Sequence, residues 1–115
     1  MKISRDEFND CSCVGDTLTF ECTVMSGIGT IWRGSAINCD SSNSEIYLLN
    51  HSDERTCNGG MIIGRVIRHE NGSYTSQLNV ILSSDLIGKV IECASNNGSQ
   101  NPIEMFNTIL DIRTW

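Results

Sequence analysis

Thr17-Leu18-Thr19-Phe20-Glu21-Cys22-Thr23-Val24 alternates without a break, with Leu18, Phe20, Cys22 and Val24 on one side and polar residues on the other. A period of two belongs to a strand whose successive side chains point to opposite faces, one buried and one wet. The pattern recurs. Gly29-Thr30-Ile31-Trp32 follows a Gly-Ile-Gly turn, and Glu45 to Leu49 and Met61 to Ile67 are further β-rich runs. Tyr74 to Leu82 puts Tyr74, Ser76, Leu78, Val80 and Leu82 on one side, and Lys89 to Cys93 continues the series. Glu104 to Ile112 sets Met105, Asn107, Ile109 and Asp111 against Phe106, Thr108, Leu110 and Ile112. His69-Glu70-Asn71-Gly72 carries the Asn-Gly signal of a tight hairpin. Helix signals reduce to one turn at Ser84-Asp85-Leu86-Ile87-Gly88, capped by Ser84 and ended by Gly88. Seven or more short strands separated by turn residues predict an all-β sandwich.

The 115 residues make one domain, 1–115, with an ordered core over about 13–112. No internal repeat, linker or low-complexity tract divides it. A net charge of -6 argues against nucleic acid as a partner, because phosphate binding needs clustered Lys and Arg. No apolar run approaches the ~20 residues needed to span a bilayer. The N-terminus, MKISRDEFND, is charged from its second residue and lacks the apolar stretch of an intact signal peptide. Either the chain is cytosolic or a leader has been removed, and the cysteines decide between these.

Cysteines fall at 11, 13, 22, 39, 57 and 93. Zinc sites show paired Cys knuckles or one knuckle plus a His pair. Here Cys11-Ser12-Cys13 is the only close pair, and His51 and His69 are isolated from it and from each other. A disulfide framework fits better and implies an oxidising compartment. Six cysteines pair in many ways, and the sequence alone does not choose among them. Asn50, Asn71 and Asn97 each begin an Asn-x-Ser acceptor for N-glycosylation. With 11 Asn and 22 Ser or Thr in the chain, chance gives about two such matches, so their number carries little weight.

The segments around the cysteines resemble the immunoglobulin superfamily. Val14-Gly15-Asp16-Thr17-Leu18-Thr19-Phe20-Glu21-Cys22 is similar to the A′–B turn and B strand of such a domain, with Gly15 seven residues before the core cysteine. Trp32, ten residues after Cys22, stands where the family's strand C tryptophan packs on the inter-sheet disulfide. Leu78 lies 15 positions before Cys93, the spacing of the strand E leucine, and Cys93-Ala94-Ser95-Asn96 resembles the start of an F–G hairpin. The resemblance implies a Cys22–Cys93 bridge surrounded by Leu18, Phe20, Trp32, Leu78, Val80 and Ile91. The 71-position separation of the two cysteines resembles the V-type, a Greek-key sandwich with extra strands supplied by residues 33–60. Ile91 occupies the place of the strand F tyrosine, so the tyrosine corner is missing, and the last strand has no Phe/Trp-Gly-x-Gly motif. Cys39 and Cys57 bracket the inserted segment and are expected to pair. Cys11 and Cys13 stay open: joined to each other, crossed to Cys39 and Cys57, or with Cys11 free for an intermolecular bond. Extra cysteines of this kind resemble the N-terminal domains of invertebrate recognition receptors, such as the allorecognition proteins of colonial cnidarians.

No motif for catalysis, metal or cofactor stands out. His51-Ser52-Asp53 holds the letters of a triad, but adjacent residues on a loop cannot relay a proton. Asp40-Ser41-Ser42-Asn43-Ser44-Glu45 spaces oxygens as calcium loops do, without the central Gly and distal Glu of an EF-hand. Function is therefore expected on surfaces: the loops Met25 to Gly29 and Asn96 to Asn101, and the exposed face of the C′CFG sheet. Tyr47, Ile46, Ile103, Met105 and Asn96 are the candidate contact residues. The resemblance implies an extracellular recognition module of a cell-surface adhesion or immune-type receptor, with a protein partner, its own copy included. The alternatives are a freestanding secreted effector or glycan binder and, less favoured, a small disulfide-rich hydrolase or metalloprotein.

Overall fold

Two antiparallel sheets face each other across the side chains that the alternation marks as buried. The computed structural model describes residues 2–5, 13–37, 45–49, 54–57, 62–98 and 100–110. Its strands are β1 Lys2–Arg5, β2 Thr17–Val24, β3 Thr30–Arg33, β4 Glu45–Leu48, β5 Glu54–Cys57, β6 Ile62–Arg68, β7 Tyr74–Ile81, β8 Val90–Ser95 and β9 Met105–Ile109. One sheet has the order β1-β2-β7-β6-β5 and the other β4-β3-β8-β9. The pairs β2–β7 and β3–β8 join strands distant in sequence, which makes the immunoglobulin-like Greek key the chain's architecture. Of the strands in the inserted segment, β4 extends the sheet that holds Trp32, whereas β5 pairs with β6 on the opposite sheet.

Two elements carry no periodic signal. In β5, Glu54-Arg55-Thr56-Cys57, only Cys57 is buried, so pairing with β6 and not an apolar face defines the strand. Strand β1 pairs along the outer edge of β2, ahead of the expected core. The 3-10 turn at Ser84–Leu86 also differs from expectation. Its N-cap is Ser83, whose side chain makes no capping bond, and buried Leu86 anchors it in place of a Ser84 cap.

Leu18, Phe20, Trp32, Leu78, Val80 and Ile91 all lie in the buried core. Cys22 on β2 and Cys93 on β8 are bridged across the two sheets, with Cα atoms 6.6 Å apart, inside the usual range for a disulfide. Closing a loop of 71 residues restrains the unfolded chain by about 4 kcal/mol in the chain-entropy account. Cys13 and Cys57 are disulfide-bonded as well, and no described cysteine is free. Cys39, the expected partner of Cys57, and Cys11 lie outside the described residues.

A second cross-sheet link runs beside the bridge. Ser76 is the register neighbour of Cys22, and Trp32 that of Cys93. The fully buried Trp32 donates Nε1–H to Ser76 Oγ at 2.6 Å, and Ser76 in turn donates to the Arg65 carbonyl at 3.0 Å. An indole N–H left without a partner in the core costs about 1–3 kcal/mol. Ser76→Ala is therefore expected to lower stability by about 2 kcal/mol. Urea unfolding followed by tryptophan fluorescence should show a lower midpoint at an unchanged slope.

Candidate functional site

The inward side chains of the four-stranded sheet include Thr30, Trp32, Ile46, Leu48, Ile91, Cys93 and Ser95, all buried. Because the side-chain period is two, their neighbours face outward. Register then stacks those neighbours into transverse rows. Ile31 stands opposite both Tyr47 and Ala94, and Ala94 stands opposite Met105, giving an apolar row across all four strands. Ile31 and Ala94 at its middle are themselves buried, whereas Tyr47 and Met105 at its ends are 40% and 54% exposed. Ile103, just before β9, is 76% exposed, and Ile109, opposite Val90, is 68% exposed.

The next row is polar: Glu45, Arg33, Glu92 and Asn107. Arg33 donates Nε–H to Glu92 Oε2 at 2.5 Å and reaches Met105 Sδ with Nη2 at 3.3 Å, which ties the two rows together. The Tyr47 hydroxyl donates to the Glu45 carboxylate. That bond favours the protonated phenol, and with desolvation and the nearby negative charge it pushes the Tyr47 pKa above 10.0, while Arg33 pulls the other way. The solvent side of an antiparallel sheet is ordinarily polar. This one is apolar along one row and charged along the next.

At one end of the sandwich, Glu104 gathers the chain between β2 and β3. Its Oε2 accepts from Met25 N–H at 2.8 Å, Ser26 N–H at 3.0 Å and Ser26 Oγ at 2.9 Å. Buried Ser95 Oγ accepts from the N–H groups of Ile103 and Glu104. Gly29 is obligatory at this end, because a Cβ there would collide with the Leu48 carbonyl and φ is +155°. The loop end is thus a bonded unit.

Sequence-derived candidates divide accordingly. Tyr47 and Met105 lie in the outward apolar row and Ile103 beside it. Ile46 does not belong there: it is 2% exposed and faces the core. Asn96 must also be corrected, for it is 4% exposed and structural. Its backbone exchanges bonds with Ile28 N–H and the Gly29 carbonyl, and its Oδ1 accepts from Gly98 N–H. Among the sequons, Asn71 is exposed at the β6–β7 hairpin, Asn97 is half-buried, and Asn50 lies outside the described residues. His69 forms part of the hairpin expected from Asn-Gly, with Nε2 2.6 Å from Thr75 Oγ1. His51 and residues 40–44 lie outside the described residues. Sequence reasoning missed Glu104 and the Arg33–Glu92 pair, since both connect residues that only strand register brings together.

No family model, no curated protein and no solved structure matches this chain.

Two outcomes test the site's chemistry. Glu45→Gln removes the acceptor charge that holds the Tyr47 proton, so the tyrosinate absorbance of the folded protein should titrate at lower pH than in the wild type. Glu104→Ala orphans three donors at the loop end and should cost about 2 kcal/mol. Hydrogen exchange should quicken first at the Met25 and Ser26 amides while the β2–β7 amides stay protected.

Proposed function

We propose that this chain is an extracellular, V-type module of the immunoglobulin superfamily, belonging to a cell-surface adhesion or immune-type receptor. It binds a protein partner, its own copy on an opposing cell included, and carries out no catalysis. Cys22–Cys93 and the further bonds at Cys13 and Cys57 support an oxidising compartment. No helix among the described residues is long and apolar enough to cross a membrane. The invertebrate allorecognition receptors remain the finer likeness, resting on the cysteine pattern.

One observation carries the reading: the row Tyr47–Ile31–Ala94–Met105, extended by Ile103 and Ile109, on a sheet face that solubility alone would keep polar. An apolar centre bordered by the Arg33–Glu92 pair and Glu45 has the layout of a protein interface, with the charged groups at the rim. On this face Arg33 is paired with Glu92 and the Tyr47 hydroxyl with Glu45, an arrangement that binds charge at a rim and does not by itself suggest catalysis.

Met105→Asp puts a charge into the apolar row without touching the core. Self-association by sedimentation velocity, and clustering of beads coated with the protein, should weaken by about tenfold or more, ~1.4 kcal/mol. Equal behaviour of wild type and variant, with the fold intact by circular dichroism, would remove the sheet face from the reading.

A further inference from the structure

Asn71-Gly72-Ser73 and Asn97-Gly98-Ser99 are the same three letters, yet the fold uses the two asparagines in opposite ways. At the exposed tip of the β6–β7 hairpin, Asn71 employs only its carbonyl oxygen. Oδ1 accepts from Ser73 N–H at 3.0 Å and from Ser73 Oγ at 2.7 Å, and no described residue takes a bond from Nδ2. Asn97 employs both ends of its amide. Nδ2 donates to the Asn101 carbonyl at 3.4 Å, while Oδ1 is buried without a partner against Gly27, where an added Cβ would come within 2.7 Å of it.

N-glycosylation changes only the nitrogen of the side-chain amide. A glycosylated asparagine keeps Oδ1 as an acceptor and loses one N–H to the sugar. At Asn71 both turn-forming bonds therefore survive the modification. At Asn97 the sugar would be joined to the group that already bonds Asn101, on a side chain wedged between the segment after β2 and the segment after β8.

We propose that Asn71 is an N-glycan attachment site of the mature protein and that Asn97, despite its identical sequon, is not. The inference rests on the secretory placement of the proposed function. The co-reactant is a lipid-linked oligosaccharide diphosphate. Asn71 Nδ2 attacks the anomeric carbon, a C–N bond forms as the C–O bond to the diphosphate breaks, the lipid diphosphate departs, and one amide proton passes to base. Ser73 is buried in the closed hairpin, so the transfer precedes hairpin closure. The finished turn then holds a glycan on Asn71 in the open, whereas a chain modified at Asn97 must displace a partly buried side chain in order to fold and is withheld from the secreted pool.

Placement gives the glycan a consequence. Tyr74 pairs with Val24, which puts the hairpin at the same end as Met25 to Gly29 and the segment bonded to Glu104. A glycan on Asn71 hydrates and shields that end, where Met25 and Ile28 are exposed, and leaves the four-stranded face open. Contact with a protein partner is thereby directed from the loops to the sheet.

The test is to secrete the full chain from a eukaryotic culture and trim it with an endoglycosidase that leaves one N-acetylglucosamine on the asparagine. Peptides are then mapped by mass spectrometry. The sugar remnant is the readout because Asn-Gly pairs also deamidate, and a mass change to aspartate alone would not mark a glycan. The expected result is the remnant on Asn71, at an occupancy several-fold above that on Asn97 in the secreted pool. An unmodified Asn71, or equal occupancy at the two sites, overturns the proposal. Neither result bears on the sheet face, because the Met105→Asp comparison is made on refolded, unglycosylated protein.

Discussion

The sandwich depends on a square of four residues. Cys22 and Ser76 are neighbours on one sheet and Cys93 and Trp32 neighbours on the other, and two links cross between the pairs. One link is the covalent bridge, and the second is the indole N–H on the serine hydroxyl. Each makes the other more effective. The bridge limits how far the sheets can separate, so the hydrogen bond forms within a nearly fixed gap. The hydrogen bond removes the penalty that would otherwise oppose burying the largest side chain of the core. Ser76 then donates its own O–H to the Arg65 carbonyl, which extends the link to β6, the strand on the far side of β7.

From that square the outer surface follows with little freedom. Once Trp32 and Cys93 face inward, Ile31, Arg33, Glu92 and Ala94 must face outward, and a slip of one residue would exchange every inside and outside position. The apolar row on the outer face is therefore no repair for a poorly filled core. The interior is already supplied by Phe20, Leu48, Leu78, Val80 and Ile91, all fully buried. Glu104 does for the loop end what Ser76 does for the core, using one carboxylate to hold a turn that follows a strand 79 residues earlier.

What the sequence made legible was whatever a local period encodes. The faces of β2 and β7, the hairpin at Asn71-Gly72 and the six core residues all follow from alternation, from turn chemistry or from the family likeness. What stayed hidden depends on which strands become neighbours. Ile46 and Tyr47 are adjacent and both apolar, and only the pairing of β4 with β3 decides that Ile46 goes in and Tyr47 out. Asn96 reads as a loop residue by composition, but its backbone bonds with Ile28 and Gly29 draw it inside. Strand β5 has no apolar alternation to betray it, because only the ladder to β6 defines it. Sequons are the extreme case, being identical in letters and separated only by which atoms of each amide the fold already uses.

The magnitudes also bear on the kind of recognition this face supports. Fully burying a large apolar side chain contributes about 1.5–3 kcal/mol, and Tyr47, Met105, Ile103 and Ile109 are already partly covered, so each has only a fraction of that left to give. Association costs roughly 4–15 kcal/mol in lost freedom and ordering. A net charge of -6 adds repulsion between two copies at a distance, although physiological salt screens it beyond about 8 Å. If the proposed partner docks on this face, the balance makes the binding of a single module weak. Weak contacts become effective when many copies are held on one surface, because the second and later contacts form at high effective concentration. Under the proposed function, such a face suits a protein displayed in numbers on a cell better than a soluble effector that must act alone. The same arithmetic makes the row sensitive to a single charge, since so little favourable area is available to absorb its desolvation.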